Sequence, residues 1–144
     1  MPTSKTYLPD VNVWIALTFD GHVHHQAARR WLNEIEETVA FCRITQMGLL
    51  RLVTNRKVMG EAVLTQAQAW SDYDQFQKDP RVIFLNEPAD LEDIWRGLTE
   101  QQNPKHSWTD AYLLAFAKAR DLAIVTFDQA LTSVQNPAVI VLGD

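Results

Sequence analysis

Residues 6–17 have the sequence TYLPDVNVWIAL, and this stretch decides the fold. Its first part, residues 6–10, is a short strand pattern with Tyr7 and Leu8 as apolar side chains and Pro9 near its end. The apolar residues continue through 11–17, where the pattern predicts a turn into a first helix. A strand that leads directly into a helix is typical of the crossover connections between parallel strands.

The rest of the chain repeats this alternation of short and long apolar patterns. Further strands are predicted at residues 39–42, 82–85, 123–126 and 139–142, and helices at residues 24–36, 45–55, 61–78, 88–101 and 108–120. Thr45 is predicted to cap the helix that follows it, and Pro88 to occupy the first position of its helix. We therefore expect one domain, residues 1–144, of the three-layer α/β class, with a central parallel sheet of four or five strands flanked by helices.

The composition excludes several classes of protein. The chain of 144 residues has 13 basic and 18 acidic side chains, and its net charge of −5 argues against binding nucleic acid by bulk charge alone, although a local basic patch stays open. Cys42 is the single cysteine, which excludes an internal disulfide and a cysteine-rich zinc site. Because no apolar run is long enough to span a bilayer and the first residues lack a secretory signal, a cytoplasmic location without membrane contact is predicted.

Three acids fall at one edge of the predicted sheet. Asp10 closes the first strand, Asp128 follows the apolar run 123–127, and Asp110 lies in the first turn of the helix 108–120. Open parallel sheets bind ligands beyond the carboxyl ends of their strands, which is where these acids are expected. Two carboxylates about 4 Å apart repel by roughly 4 kcal/mol at an effective dielectric constant of 20, so the cluster needs a cation or a protonated member.

The kind of ligand indicates which cation this is. Oxygen ligands without cysteine or histidine select hard cations, which makes Mg²⁺ or Mn²⁺ the expected occupant. Such an ion binds phosphate oxygens and lowers the pKa of a bound water, which then attacks phosphorus in line. The implied chemistry is hydrolysis of a phosphodiester bond without a covalent intermediate.

Each acid also has a purely structural interpretation. Ser107 and Asp110 match a helix capping box, while Asp10 and Asp128 can be turn acids after strands. Singly, each acid is more often structural than catalytic, and their common placement is what favours a metal site. An aspartyl-phosphate phosphatase is a weaker alternative, because its mechanism needs a general acid two residues after the nucleophile, where this chain has Asn12.

Three motifs, in this order, resemble a known family. They are LPDVNVWIAL at residues 8–17, WTDAYLLA at residues 108–115 and VTFD at residues 125–128. The first resembles the opening signature of PIN domains, and the others resemble the later acidic motifs of that family. The segment RITQMGLLR, residues 43–51, resembles the corresponding helix of the VapC-type toxin ribonucleases. The resemblance covers nearly the whole chain.

The resemblance implies a PIN-like fold and a Mg²⁺- or Mn²⁺-dependent endoribonuclease, the toxin of a bacterial type II toxin–antitoxin pair. Relatives of this kind are usually homodimers, and a VapB-like antitoxin inhibits them by inserting near the active site. By position, Asp10, Asp110 and Asp128 would be the catalytic metal ligands. Asn12 and Thr126 would orient these ligands by hydrogen bonds.

One position departs from the family's pattern. PIN domains usually carry a further acid on the helix after the second strand, and the resemblance assigns that position to Gln46, an amide that can position a ligand or a water. Whether the site holds one metal ion or two is therefore open. A catalytically weak PIN module that binds RNA or an antitoxin is the alternative function.

Some basic and aromatic residues are candidates for contact with RNA. Arg51, Arg56 and Lys57 form the best candidate phosphate-binding patch, with a solvated helix surface as the alternative. Trp108, beside Asp110, is the tryptophan best placed to stack on a base.

The start of the helix 24–36 is rich in histidine. His22, His24 and His25 lie close together along the chain, but no further nitrogen or sulfur ligand recurs at the spacing of a zinc site. A solvated helix start is the preferred interpretation, with His22 facing the acids as the alternative.

Overall fold

The computed structural model describes residues 5–100, 105–131 and 137–143. The strands are β1 (Thr6–Pro9), β2 (Thr38–Phe41), β3 (Val82–Phe84), β4 (Ala123–Thr126) and β5 (Val139–Val141). The α-helices are α1 (Val11–Thr18), α2 (His25–Glu34), α3 (Arg43–Val53), α4 (Arg56–Met59), α5 (Gln66–Gln77), α6 (Leu91–Thr99) and α7 (Trp108–Arg120). Gly60–Ala62 and Gln129–Leu131 are short 3₁₀ helices. Within the described ranges, every helix is too short or too polar to cross a membrane.

The strands form one parallel sheet with the order β3-β2-β1-β4-β5. The chain first adds β2 and β3 on one side of β1, and then returns to place β4 on the other side. The order of the strands therefore reverses between β1 and β4, and open α/β sheets bind ligands at such a reversal. The prediction of an α/β fold with a central parallel sheet is confirmed.

The two sides of the sheet carry separate cores. Since successive residues of a strand point to opposite sides, Phe41 and Val125 pack on the side of α1, α2, α3 and α5, where the Trp14 ring stacks on Phe41 at 3.7 Å between centroids. Ala40 and Ile124 pack on the other side, against α6 and α7. Helices, sheet and helices make the three layers that the sequence predicts.

The start of α3 differs from the prediction that Thr45 caps it. The helix begins at Arg43 and its cap residue is Cys42, the residue that directly follows β2. The Thr45 hydroxyl instead hydrogen-bonds back to Cys42. It accepts the backbone N–H of Cys42 at 3.0 Å and donates to the backbone oxygen of Cys42 at 3.0 Å. The cap prediction is wrong because the chain turns from strand to helix without a loop.

The predicted helix 61–78 is also divided. Gly60, in the left-handed region with φ of +57°, ends α4, and α5 begins only after Thr65. The Thr65 hydroxyl accepts the N–H of Gln68 at 3.1 Å, and the Gln68 side chain accepts the N–H of Thr65 at 2.8 Å. Pro88 lies before α6 rather than inside it, and its backbone oxygen accepts the N–H of Leu91. The predicted end of α6, Gln101, lies outside the described residues.

Arg81, just before β3, joins three parts of the chain at the amino edge of the sheet. Its guanidinium donates to the backbone oxygens of Leu32 at 2.7 Å and Ile35 at 2.8 Å, at the end of α2. It also donates to both carboxylate oxygens of Asp79, at 2.7 Å and 3.1 Å. The hydrogen bonds from Arg81 hold the pKa of Asp79 below its usual value. This pair fixes the end of α2 to the start of β3.

Candidate active site

Asp10 lies where β1 ends beside β4, at the reversal of the strand order. The register pairs Pro9 with Val125, and the N–H of Asp10 continues the ladder by donating to the Val125 oxygen at 2.9 Å. Asp10 is also the cap of α1, because its Oδ1 accepts the N–H of Val13 at 3.1 Å. Strand pairing on one side and a helix start on the other therefore fix this carboxylate.

Thr126 connects two of the predicted acids. Its side chain is fully buried at the end of β4, and its hydroxyl donates to Oδ2 of Asp10 at 2.5 Å. The same hydroxyl oxygen accepts the N–H of Asp128 at 3.0 Å. The exposed Asp128 carboxylate accepts the N–H of Ala130 through Oδ1 at 2.9 Å. Asp10 and the backbone of Asp128 are thus two hydrogen bonds apart.

Asp110 lies in the first turn of α7, which the Ser107 side chain caps. The Ser107 hydroxyl accepts the backbone N–H of Asp110 at 3.1 Å. The helix start therefore uses the peptide group of Asp110. Among the residues that the structure describes, no hydrogen bond engages its carboxylate.

The electrostatics of Asp10 show that the three acids share one neighbourhood. Burial is the largest effect and raises the pKa of Asp10 above its usual value. Hydrogen bonds from Thr126 and from the Val13 N–H act in the opposite direction, while the negative charges of Asp110 and Asp128 raise the pKa further. A partly buried carboxylate near two like charges is stabilised in its charged form when a cation binds next to it.

The donor atoms of this cluster fit a hard divalent cation. Asp10, Asp110 and Asp128 offer carboxylate oxygens, the ligands that Mg²⁺ and Mn²⁺ prefer. In the described parts of the chain, no three histidine, cysteine, aspartate or glutamate side chains already stand close enough to hold a metal ion. The donor chemistry of the acids therefore fits a hard cation, while their side chains are not already grouped around one point.

The structure does not bring Gln46 to the acids. Gln46 is buried between α3 and α5, where its Oε1 accepts from Nη1 of Arg43 at 2.5 Å and its side chain contacts the Tyr73 hydroxyl. The residue of α3 that faces α1 beside Asp10 is Gly48, because a Cβ there would lie 2.6 Å from Cγ2 of Val11. Positions 46 and 48 point about 200° apart on a helix, so both cannot face α1.

Asn12 is exposed on α1 and lines a pocket of about 630 Å³. The lining also includes His22 and, from α4, Val58 and Met59. No hydrogen bond joins Asn12 to the three acids within the described ranges, so its predicted orienting role stays a prediction.

The three histidines have separate contacts. The His24 ring stacks on Phe127 at 4.4 Å between centroids, His22 Nδ1 accepts the N–H of His24 at 3.0 Å, and His25 Nδ1 lies 2.7 Å from the Ala16 oxygen. The rings of His22 and His24 lie 5.8 Å apart between centroids, yet the described residues contain no histidine group that could hold zinc. The stacking of His24 on Phe127, between Thr126 and Asp128, was missed because the two rings are far apart along the chain.

The candidate RNA contacts fall in three places. Arg56 and Lys57 are exposed on α4, and the last two residues of this helix line the Asn12 pocket. Arg51 lines a separate groove between α3 and α5. Trp108 is exposed at the start of α7. The structure therefore separates Arg51 from the other two basic residues.

Residues 7–137 match the family model of the PIN domain. The chain belongs to the PIN-domain family. Ribonuclease VapC41 of Mycobacterium tuberculosis is 45% identical over 132 residues, which cover 87% of this PIN domain chain and 90% of that protein. Ribonuclease VapC44 of the same organism is 37% identical over 136 residues, which cover 88% and 90%. Within the PIN-domain family the chain is a VapC-type ribonuclease, the toxin class of toxin–antitoxin systems, as its motifs predict.

Solved structures share this PIN fold. VapC20 of Mycobacterium tuberculosis, a Sarcin-Ricin loop cleaving toxin, superposes with a TM-score of 0.69 at 18% identity, over 92% of this chain and 98% of that one. VapBC2 from Rickettsia felis, bound to a DNA fragment from its promoter, superposes with a TM-score of 0.73 at 16% identity, over 96% and 99%. PIN-domain ribonucleases are typically metal-dependent.

Proposed function

We propose that this VapC-type ribonuclease is a Mg²⁺- or Mn²⁺-dependent endoribonuclease that cleaves RNA at the carboxyl ends of β1 and β4. Asp10, Asp110 and Asp128 hold the ion, and Thr126 positions Asp10. The observation that carries the proposal is the buried Thr126 hydroxyl, which donates to Asp10 at 2.5 Å and accepts the N–H of Asp128 at 3.0 Å. It ties two acids to one point at the reversal of the strand order, while the charges of Asp110 and Asp128 reach Asp10.

The roles of the side chains follow from their supports. When bound, a divalent ion supplies charge for the phosphate oxygens and a water of lowered pKa. Thr126 and the Val13 N–H each hold one oxygen of Asp10, so this ligand keeps a single orientation. Asp110 projects from a helix start that Ser107 caps, which fixes its backbone. Asp128 is exposed just after β4 and would complete the ligand set.

We further propose that RNA approaches across the Asn12 pocket. Arg56 and Lys57 on α4 are exposed beside this pocket and can contact phosphates there. Arg56 already lies 3.6 Å from Glu61, an exposed pair of little energetic weight that a phosphate can displace. Asn12 itself, on the first turn of α1, is placed to orient a ligand or a phosphate. Arg51 would act only on RNA that extends to the α3–α5 groove.

The partners are part of the same proposal. Residues 1–144 would act as one PIN domain in the cytoplasm, as a homodimer that a VapB-like antitoxin inhibits. The support is the membership of the VapC class and the likeness in fold to chains solved as VapBC2. Light scattering on the purified chain measures the dimer, and co-purification with the product of the neighbouring gene measures the antitoxin. A monomer that ignores that product would contradict this part.

The test of the catalytic site is RNA cleavage by matched aspartate variants. Asp110→Asn removes one charge at the site, and Asp93→Asn removes one charge from an exposed position on α6. With Mg²⁺ or Mn²⁺ and a fluorescent single-stranded RNA, we expect cleavage by Asp110→Asn to fall on the order of 10²–10³-fold and cleavage by Asp93→Asn to match the wild type. Titration calorimetry with Mn²⁺ alone should show weaker binding to Asp110→Asn. Equal cleavage by all three proteins would refute the proposal.

The alternative of a catalytically weak module has its own measurement at Gln46. Because Gln46 contacts Arg43 and Tyr73 rather than the acids, Gln46→Glu should form an ion pair with Arg43 and give no gain in cleavage. A large gain in Mn²⁺ would show instead that this position limits the activity. RNA binding without turnover by the wild type, even at high Mn²⁺, would favour the weak module.

A further inference from the structure

Trp108 leaves a large apolar ring in solvent beside the proposed metal site. It is the first residue of α7, two residues before Asp110, and 70% of its surface is exposed. Burying an indole contributes more to the free energy of folding than burying most other side chains. The exposed Trp108 makes little of this contribution. The turn of helix that exposes Trp108 is the turn that carries a proposed metal ligand.

The backbone of Trp108 is held by a series of rings that begins in the core. Trp95 on α6 meets Trp108 edge-on, with 5.9 Å between centroids, and its indole N–H donates to the Trp108 backbone oxygen at 3.1 Å. Trp95 also meets Tyr112 edge-on at 5.3 Å, and the Tyr112 hydroxyl donates to Oε1 of Glu87 at 2.8 Å. These contacts fix the helix start while most of the Trp108 side chain stays exposed.

A shallow cavity of about 280 Å³ adjoins the exposed indole. We call it the Trp108 corner, and its lining residues are Glu92, Trp95, Arg96, Thr99, Glu100 and Trp108. Its volume lies just below the roughly 300 Å³ at which small-molecule pockets begin, which suits one planar group rather than a whole ligand.

The charges of the Trp108 corner disfavour a phosphate. Arg96 lies 3.1 Å from Glu92 and 3.5 Å from Glu100, so its guanidinium is already shared by two carboxylates. One positive and two negative side chains leave the lining with an excess of negative charge. A neutral planar group that stacks on the indole meets no such repulsion, and its N–H groups can donate to the carboxylates.

The Trp108 corner lies beside the acids rather than among them. Residues two positions apart on a helix point about 200° apart, so Trp108 and Asp110 leave opposite sides of a helix about 10 Å across with its side chains. A phosphate at Asp110 and a base at Trp108 would therefore belong to different nucleotides of one RNA strand.

We propose that the Trp108 corner binds one unpaired base of the RNA substrate, next to the cleaved bond, by stacking it on the Trp108 indole. This inference rests on the proposed function. Stacking of a base on an aromatic side chain changes affinity by about 5- to 150-fold. Trp108 is thus a residue that positions the substrate, and the backbone phosphates are held elsewhere.

The test compares base-bearing and abasic RNA on three versions of residue 108. The probes are a single-stranded octamer of alternating A and C and an abasic ribose-phosphate octamer of equal length and charge, both measured in EDTA so that no cleavage occurs. Trp108→Leu keeps apolar bulk but removes the aromatic face, and Trp108→Phe keeps an aromatic face. We expect Trp108→Leu to bind the AC octamer about 5- to 150-fold more weakly than the wild type, with Trp108→Phe in between. All three should bind the abasic octamer equally.

Two results would overturn the inference. If Trp108→Leu binds the AC octamer as the wild type does, the Trp108 corner has another occupant, such as a protein partner. If it loses affinity equally for both probes, residue 108 acts through the fold or the charge rather than through a base. Since the assay contains no metal ion, its outcome is independent of cleavage by Asp110→Asn, and failure of one proposal is distinguishable from failure of the other. With Mg²⁺, Trp108→Leu should raise KM and leave kcat unchanged.

Discussion

Asp10 and Asp79 lie at opposite edges of the same sheet, and the carboxylate of each accepts hydrogen bonds. Asp79 is paired with the Arg81 guanidinium, which lowers its pKa. Asp10 is partly buried, and this desolvation, together with the negative charges of Asp110 and Asp128, raises its pKa. None of its hydrogen bonds brings a positive charge. The charge of Asp79 is already balanced by Arg81, whereas the negative charges around Asp10 are unbalanced and would be stabilised by a cation.

The largest expected effect separates activity from stability at Asp10. Asp10→Asn should lower cleavage on the order of 10²–10³-fold, because one charge that holds the metal ion is lost. Asparagine still caps α1, and a repulsion is removed, so the free energy of unfolding should stay within about 0.5 kcal/mol of the wild type. Cleavage rates and urea unfolding on the same samples measure both quantities. A strongly destabilised Asp10→Asn protein would give Asp10 a structural role instead.

The reverse pattern is expected at Arg81. Arg81→Ala removes the guanidinium that donates to the backbone oxygens of Leu32 and Ile35 and to the Asp79 carboxylate, which keeps only the backbone N–H of residue 81. The free energy of unfolding should fall by about 2–3 kcal/mol. Cleavage at a temperature where the variant is folded should match the wild type. Loss of cleavage by the folded variant would mean that the two edges are coupled.

A divalent cation should stabilise the protein only through the Asp10 edge. At a Mn²⁺ concentration of ten times Kd, binding adds about 1.4 kcal/mol, or a Tm increase of about 3–6 °C for a chain of this size. Thermal melts with and without Mn²⁺ should show this increase for the wild type and for Arg81→Ala, and a much smaller one for Asp10→Asn. An equal increase in all three proteins would place the ion elsewhere.

The smallest effect is the pH dependence of the Asp79 pair. The folded pKa of Asp79 is lowered, so the stabilisation is present above its unfolded pKa of about 3.9 and is lost as the pH falls through the folded pKa. Because the pair is partly exposed, Asp79→Asn should cost only about 1 kcal/mol at pH 7, and it should cost less at pH 3. Urea unfolding of both proteins at the two pH values measures the difference. If the loss in the free energy of unfolding is the same at both pH values, the stabilisation by Asp79 comes from hydrogen bonding and not from its charge.

Local patterns predicted the elements that depend on their own residues. The ranges of α7 and β4 were predicted to the residue, since a long apolar run capped by Ser107 and a short apolar run contain their own signals. The boundaries failed where a neighbour decides them, as at Thr45, where the chain turns out of β2 directly at Cys42. Asp10 and Asp128 were predicted after strands and Asp110 at a helix start, because the alternation of strands and helices places these positions at one edge of the sheet.

The sequence by itself determined the α/β class, the parallel sheet and the membership of the PIN family, because periodicity and ordered motifs are local properties. Only the tertiary structure decided which side chains contact each other. Thr126 bonds Asp10 across 116 positions of the chain, Gln46 faces Tyr73 instead of the acids, and Arg81 holds the end of α2. The physical reason is that strand order and helix rotation set these contacts, and both follow from packing the whole chain against one sheet.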